Sequence, residues 1–354
     1  MQDISRTYLE GVAGLKPRRY GLKEGKIFLY GAPGVGKSAL ALLYAARHKK
    51  VLYINCADCR IDIESANAFI LKSYLERHLE LLIVDNYTPA LSLPNLKSII
   101  LIAASITHCP EDFQPKFISA LSFEEYVSFD NKNLSINNLF NLFLKEGNLP
   151  QIAFLPPSHK IPRKQEILKL ALWNDFEIFT ALLRMQGREL TPNYVYTMLK
   201  KTHKISKDRI YPLLQSLQER GIIYLVPHTH TKSKKLYFYD FSLPLCVQND
   251  KNLLAILENM LLLELFNFCL RDKKSPEVSY GDMGEFICAL GVFVFIPFST
   301  QEGIESKLKK LHYTHIFVIT LNFEGQGCIK TPYTLIHWRA MEFMNFALEW
   351  AADF

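Results

Sequence analysis

Short, almost wholly apolar runs recur along the first 120 positions, separated by stretches with helical character. The runs are KIFLY at 26–30, VLYINC at 51–56, LELLIVD at 79–85, SIILIAAS at 98–105 and PKFISAL at 115–121. Runs of this length without polar alternation predict buried strands. The alanine- and leucine-rich stretch SALALLYAARHKK predicts a helix after the first. Five strands separated by helices make a doubly wound parallel α/β layer, which takes its ligand at the carboxyl ends of the strands. Further on, PPSHKIPRK (156–164) reads as a proline-broken connector. DFEIFTALLRMQ predicts a helix, and TPNYVYTMLKK predicts another, with Thr191 as N-cap and Pro192 in its first turn. A third helix is expected from Ser206 to Gly221, bent or starting late at Pro212. Two strands, IIYLV and KLYFYDF, flank the turn PHTHTKSKK. Three helices and a hairpin make a winged helix-turn-helix. The rest starts with a long apolar helix, followed by the strand segments EVSYGDMGEFICAL, GVFVFIPFS and THIFVITLNF. The expected division is 1–155, 156–245 and 246–354.

The chain of 354 residues is 49% hydrophobic and 21% charged, enough to build two or three cores and to exclude disorder as the main state. Its net charge of +6 is unevenly placed. Residues 161–240 carry 14 basic and 7 acidic side chains, whereas 241–354 carry 9 and 13. The basic excess therefore belongs to the middle segment. Seven cysteines, an odd number, argue against a closed disulfide framework. Cys56 and Cys59 form a lone CxxC, and His228 and His230 have no carboxylate or cysteine cluster beside them in sequence, so no metal site is expected there. MQDISRTYLEG lacks the basic-then-apolar pattern of a signal peptide. ICALGVFVFIPF is too short to span a bilayer, and the run 253–270 is interrupted by Glu258 and Glu264. A cytoplasmic chain with no membrane contact is the expectation.

Candidate chemistry concentrates after the first strand. GAPGVGKS, at Gly31–Ser38, is the pattern G-x-x-x-x-G-K-S between a strand and a helix. Glycines at 31, 34 and 36 allow the backbone to curl around a phosphate, and the following helix adds the positive end of its dipole. The expected nucleotide contacts are Gly31, Ala32, Pro33, Gly34, Val35, Gly36, Lys37, Ser38 and Ala39. Lys37 would reach the β- and γ-phosphates of ATP, and Ser38 would ligate Mg²⁺. LELLIVD ends in Asp85, an acid at a strand's carboxyl end, placed to hold Mg²⁺ through water. The next residue is Asn86, an amide that cannot take a proton, so hydrolysis is expected to be slow or conditional unless another acid such as Asp58 substitutes. Ser105, ending the fourth apolar run, is the candidate sensor of the γ-phosphate. Asp85, Asn86 and Ser105 thus form the expected catalytic set. Ser122 and Glu125 form a capping-box pattern in SFEEYVSF. No arginine occurs between Arg77 and Arg163, which disfavours a ring motor that completes a neighbour's site with an arginine from this region.

Several segments together resemble prokaryotic AAA-superfamily P-loop ATPases that carry a winged-helix middle and a tail related to restriction endonucleases. They are GAPGVGKS, VLYINCAD, LLIVDN, IILIAAS and ISALSFEEYV, the last similar to that family's PLSFEEY element. EGNLP resembles its Gly-Gly-x-Pro element, KKLYFYDFSL its second wing strand and ENMLLLEL the first helix of its tail, so that the likeness runs over roughly 25–350. Where the family has Asp-Glu, this chain has Asp85-Asn86, and the Gly-Ser ending the sensor strand is Ala104-Ser105. The Gly-Arg before the fifth strand is missing, and the second glycine of Gly-Gly-x-Pro is Asn148. The resemblance implies an ATP- and Mg²⁺-binding core, and these departures argue against efficient turnover. It also implies a nuclease-like tail, in which Asp282 or Glu285 would be the first acid. The next strand, VFVFIPF, has neither the acid nor the lysine that metal-dependent cleavage requires.

The leading expectation is an ATP-binding regulatory switch, with an ATPase activity that is weak and an unidentified protein partner. The alternative is an ATP-modulated DNA-binding protein. In it, Lys200, Lys201, Lys204, Lys207, Arg209, Lys232, Lys234 and Lys235 would contact phosphates. A P-loop kinase acting on a small molecule is a third reading, which leaves the winged helix and the tail unexplained.

Overall fold

The computed structural model describes residues 2–12, 14–201, 205–247, 252–272 and 274–352. By internal contacts the chain divides into two compact units, Met1–Ala120 with Glu219–Ile222, and Leu121–Gln218 with Ile223–Phe354.

In the first unit, α1 (Gln2–Glu10) precedes β1 (Lys26–Tyr30), α2 (Lys37–Ala45), β2 (Val51–Asn55), α3 (Ile63–Leu75), β3 (Leu81–Asp85), β4 (Ser98–Ile102) and β5 (Gln114–Phe117). All five apolar runs are strands, joined in one parallel sheet of order β2-β3-β4-β1-β5. Every residue of β3 and β4 is buried, as their unbroken apolar pattern requires. Strand β4 separates β1, which carries the glycine loop, from β3, which carries Asp85. The carboxyl ends of these strands lie side by side because the sheet is parallel. One face is sealed by Phe28, Ile54, Ile70, Val84 and Leu101, among others.

The second unit runs α4 (Phe123–Ser128), α5 (Ile136–Glu146), α6 (Pro150–Ala153), α7 (Pro157–Leu172), α8 (Phe176–Leu183), β6 (Glu189–Leu190), α9 (Pro192–Leu199) and α10 (Lys207–Glu219). It continues with β7 (Ile223–Pro227), β8 (Lys234–Phe238), α11 (Leu253–Arg271), β9 (Val278–Tyr280), β10 (Phe286–Cys288), β11 (Gly291–Phe295), α12 (Gln301–Leu308), β12 (His315–Thr320), β13 (Gly325–Lys330), β14 (Leu335–Glu342) and α13 (Phe343–Ala352). The last residue of α10 belongs to the first unit. Strands β6, β8 and β7 form a small antiparallel sheet. The other six form a mixed sheet of order β13-β14-β12-β11-β10-β9. Helix α11 has the length and composition of a membrane span, but it lies mostly buried in this unit's core, with Leu257, Leu261 and Leu265 fully covered.

One expectation needs correction. The stretch expected as a connector is the start of α7, with Pro157 in its first turn and Pro162 inside it. Pro162 forfeits one backbone bond early in the helix. Burial of Ile167, Leu168 and Leu172 along the same helix offsets that loss. Helix α10 runs Lys207–Glu219, close to the expected span of Ser206 to Gly221, and it passes through Pro212 without a late start, with Ile210, Leu213, Leu214 and Leu217 buried. The capping box of Ser122 and Glu125 is formed at the start of α4.

A buried ion pair between Lys164 of α7 and Asp240 holds the middle of this unit, and Ser242 Oγ accepts from the same ammonium at 2.5 Å. Gly147 sits against this cluster at φ +79, where an added Cβ would lie 2.2 Å from Asp240 Oδ1. That position tolerates only glycine. The following Asn148 is buried, and its carbonyl accepts from Leu121 N at 2.8 Å.

Candidate functional site

The glycine loop leaves β1 at Gly31 and enters α2 at Lys37, with Ser38 and Ala39 in the first helical turn. Gly31 has φ +139, and a Cβ there would meet the Ile118 carbonyl oxygen at 2.5 Å. The loop passes too close to the end of β5 for any other residue. Gly34 (φ 78) and Gly36 (φ 91) are left-handed, a geometry that turns successive N–H groups to one side. Gly36 is the N-cap of α2 and supplies no side chain over the first amides of the helix, the groups that can bind an anion.

Arg18 fixes this loop from outside. Its guanidinium donates to the Val35 carbonyl at 2.6 Å and to the Ser119 and Ala120 carbonyls at 3.1 and 3.4 Å. It thus ties the loop to the chain leaving β5. The sequence reading missed it, because Arg18 precedes the first strand in a stretch with no periodic pattern. The adjacent pair Arg18-Arg19 was the available signal.

Lys37, Ser38 and Asp85 come together. Lys37 Nζ donates to the Gly31 and Ala32 carbonyls at 2.7 and 2.8 Å. Its pKa is lowered to about 8, chiefly by burial and further by the positive charge of Arg220, while Asp85 opposes the shift. Ser38 Oγ donates to Asp85 Oδ2 at 2.6 Å. Tyr53 donates to the same oxygen at 2.6 Å, and the Asn86 amide donates to Oδ1 at 2.9 Å. Burial, followed by the neighbouring carboxylate, pushes the Tyr53 phenol up, so it stays a donor throughout the physiological range. Ser38 and Asp85 offer the hard oxygen donors that Mg²⁺ takes, and they do so at the amino end of a helix where phosphate oxygens would complete the set.

Asn86 stands at φ 51, a left-handed conformation that asparagine adopts more easily than most residues. Its side chain donates to Asn55 Oδ1 at 2.8 Å; Asn55 in turn donates to Tyr8, and Tyr8 to Asp58. The chain of amides and hydroxyls contains one acid, Asp58, and that acid is committed elsewhere. Arg60 donates to both of its oxygens, at 3.0 and 2.6 Å, which holds its carboxyl well below the usual range. Asp58 is therefore a poor proton acceptor, and the expectation that it could replace the missing glutamate is corrected. Ser105 lies in a bend beyond β4, and its hydroxyl bonds Thr107 at 3.0 Å rather than Ser38 or Asp85.

The sequence reading also missed Arg220. The segment 219–222 is remote in sequence yet belongs to the compact unit of the glycine loop. Gly221 there has φ +63, with the Phe117 ring 2.9 Å and the Ala32 amide 4.0 Å from where its Cβ would be. No local pattern marks Arg220 as part of this site.

Of the basic residues expected to contact DNA, Lys200, Lys201, Lys207, Lys232 and Lys234 are exposed, and Lys204 lies outside the described residues. Lys235 is a correction: it is largely covered, pairs with Glu258 at 2.9 Å and stacks on the Tyr280 ring. Arg209 pairs with Asp175 at 2.6 Å. In the tail, Asp282 is exposed beside His228, and Glu285 is buried, accepting from Tyr313 and the Met283 amide.

No family profile and no curated protein matches the chain. Among solved structures, the Walker-type ATPase PABY2304 of Pyrococcus abyssi is similar with a TM-score of 0.43 and 15% identity, over 70% of this chain and 95% of that one. The likeness is loose, and the site stands on its own geometry.

Proposed function

We propose that this protein binds ATP with Mg²⁺ at the glycine loop and acts as a slowly hydrolysing regulatory ATPase. The observation that carries the reading is the convergence of Lys37, Ser38 and Asp85 at the open amino end of α2. Lys37 would exchange its two loop carbonyls for phosphate oxygens, and Ser38 and Asp85 would hold Mg²⁺, which when bound neutralises phosphate charge. Asn86 next to Asp85, and Arg60 on both oxygens of Asp58, support slow turnover. The charge of Arg220 at Lys37 supports a switch, because a cation on a remote segment would be drawn towards a bound triphosphate and released with it. In this reading residues 1–155 form the nucleotide domain, 156–245 a winged helix and 246–354 a nuclease-like tail without cleavage residues.

The test is ATP affinity by calorimetry in the wild type and in Lys37→Ala. The variant should lose measurable binding while keeping its fold by circular dichroism. Unchanged affinity would refute the site. The exposed Lys200, Lys201, Lys207, Lys232 and Lys234 favour DNA as a second reading. Duplex affinity measured against salt distinguishes it, since several phosphate contacts give a steep slope and none gives a flat one.

A further inference from the structure

Strands β13, β14 and β12 lie next to one another at one end of the six-stranded sheet, and exposed and buried positions alternate from Leu335 to Ala340 of β14. Ile316, Val318, Ile329, Ile336 and Trp338 point into a core cluster. The period of two therefore sends His315, Cys328 and His337 to the opposite face, where all three are exposed. Register then aligns them in one row, with His315 opposite His337 and His337 opposite Cys328. Cys328 Sγ and His337 Nδ1 are 3.1 Å apart. The two imidazoles are near-parallel, with centroids 5.4 Å apart. The row lines a groove of about 530 Å³, whose other walls include Gln326 and Arg339.

We propose that Cys328, His337 and His315 form a binding site for a zinc-class transition-metal cation. Among the described residues no three such side chains already converge as a coordination set: Cys328 and His337 are in contact, and His315, in the same row on the next strand, would have to turn toward them. The spacing of Cys328 and His337 suits it. Zn–S of about 2.3 Å and Zn–N of about 2.0 Å at a tetrahedral angle separate sulfur from nitrogen by about 3.5 Å, against the 3.1 Å found here. The His315 and His337 rings are 5.4 Å apart but stacked, so their nitrogens would converge on one ion only after rotation about the side-chain bonds. His315 Nδ1 is engaged by Thr314 Oγ1 at 3.1 Å, leaving Nε2 as its ligating atom after rotation about the side-chain bonds. One thiolate and two imidazoles suit zinc or cobalt(II) and exclude magnesium and calcium, which require oxygen donors. Three protein ligands leave the fourth position open to the groove, which is the arrangement of a site that exchanges water or accepts a ligand from outside.

The experiment is a cobalt(II) and zinc titration of the full chain without nucleotide, followed by absorption and calorimetry. One equivalent of cobalt should give tetrahedral visible bands and a near-ultraviolet thiolate charge-transfer band, and zinc should displace both. Cys328→Ser should remove the charge-transfer band, and His337→Ala and His315→Ala should each weaken binding at least tenfold. All three positions are exposed, so these variants should keep the fold. Cys59→Ser, in the CxxC of Cys56 and Cys59, should change nothing. Absence of one-equivalent binding, bands that survive Cys328→Ser, or bands lost in Cys59→Ser would overturn the assignment.

Discussion

Substituting Asn86 by glutamate tests whether a missing proton acceptor limits turnover. The side chain follows Asp85 directly, lies exposed beyond the carboxyl end of β3, and is joined to Asn55 by a 2.8 Å hydrogen bond. A positioned general base contributes about 10²- to 10⁴-fold, equal to roughly 3–5 kcal/mol of activation free energy. The substitution has a structural cost. Glutamate at φ 51 forfeits about 1–2 kcal/mol relative to a residue at ease in the left-handed region. Losing the bond to Asn55 adds about 1 kcal/mol. Together these amount to a fall of roughly 5–10 °C in melting temperature, small enough to leave the fold intact. Phosphate release under saturating Mg·ATP should therefore rise by at least a hundredfold in Asn86→Glu. Asn86→Asp fits the left-handed backbone better but reaches less far, and should give a smaller rise. If Asn86→Glu binds ATP like the wild type but turns it over no faster, the missing base is not what limits hydrolysis.

Other outcomes follow from the same geometry. The ammonium of free Lys37 titrates at about 8, and bound phosphates favour its charged form, so ATP affinity should be constant below that pH and weaken as pH rises above it, by up to tenfold per unit; calorimetry from pH 6.5 to 9.5 checks the sign. For the free protein the linkage runs the other way. A lysine whose folded pKa is depressed makes the unfolded chain bind more protons between about 8 and its ordinary value, so this group's contribution to stability should rise with pH across that window, as urea titrations would show. Lys164→Met leaves Asp240 buried and uncompensated and should destabilise by about 3–5 kcal/mol in chemical denaturation. Arg18→Ala frees the Val35 carbonyl and should weaken ATP binding without removing any group that touches phosphate, a loss visible in affinity with the fold preserved.

Legibility in the sequence followed locality. GAPGVGKS and the apolar run ending in Asp85 are contiguous patterns, and their parts act over one loop or one strand, so the loop, the acid and the five strands were all readable. The capping box of Ser122 and Glu125 was readable for the same reason. Pro157 and Pro162 misled because local propensity yielded to buried side chains contributed by the rest of the unit. Strands β13 and β14 escaped notice, and with them the row of Cys328 and His337, since cross-strand register brings together residues that no spacing along the chain connects.

The sequence by itself determined that a glycine-rich loop precedes a helix, that an acid ends the third strand, and that an amide follows that acid. Each is a statement about neighbours along the chain. Only the tertiary structure decided that Ser38 and Tyr53 share Asp85, that Arg60 occupies Asp58, that Arg18 clamps the loop, and that Arg220 joins its unit. Charges and hydrogen bonds act over a few ångströms of space, and for these residues that proximity arises only when sheet order and packing bring distant segments together.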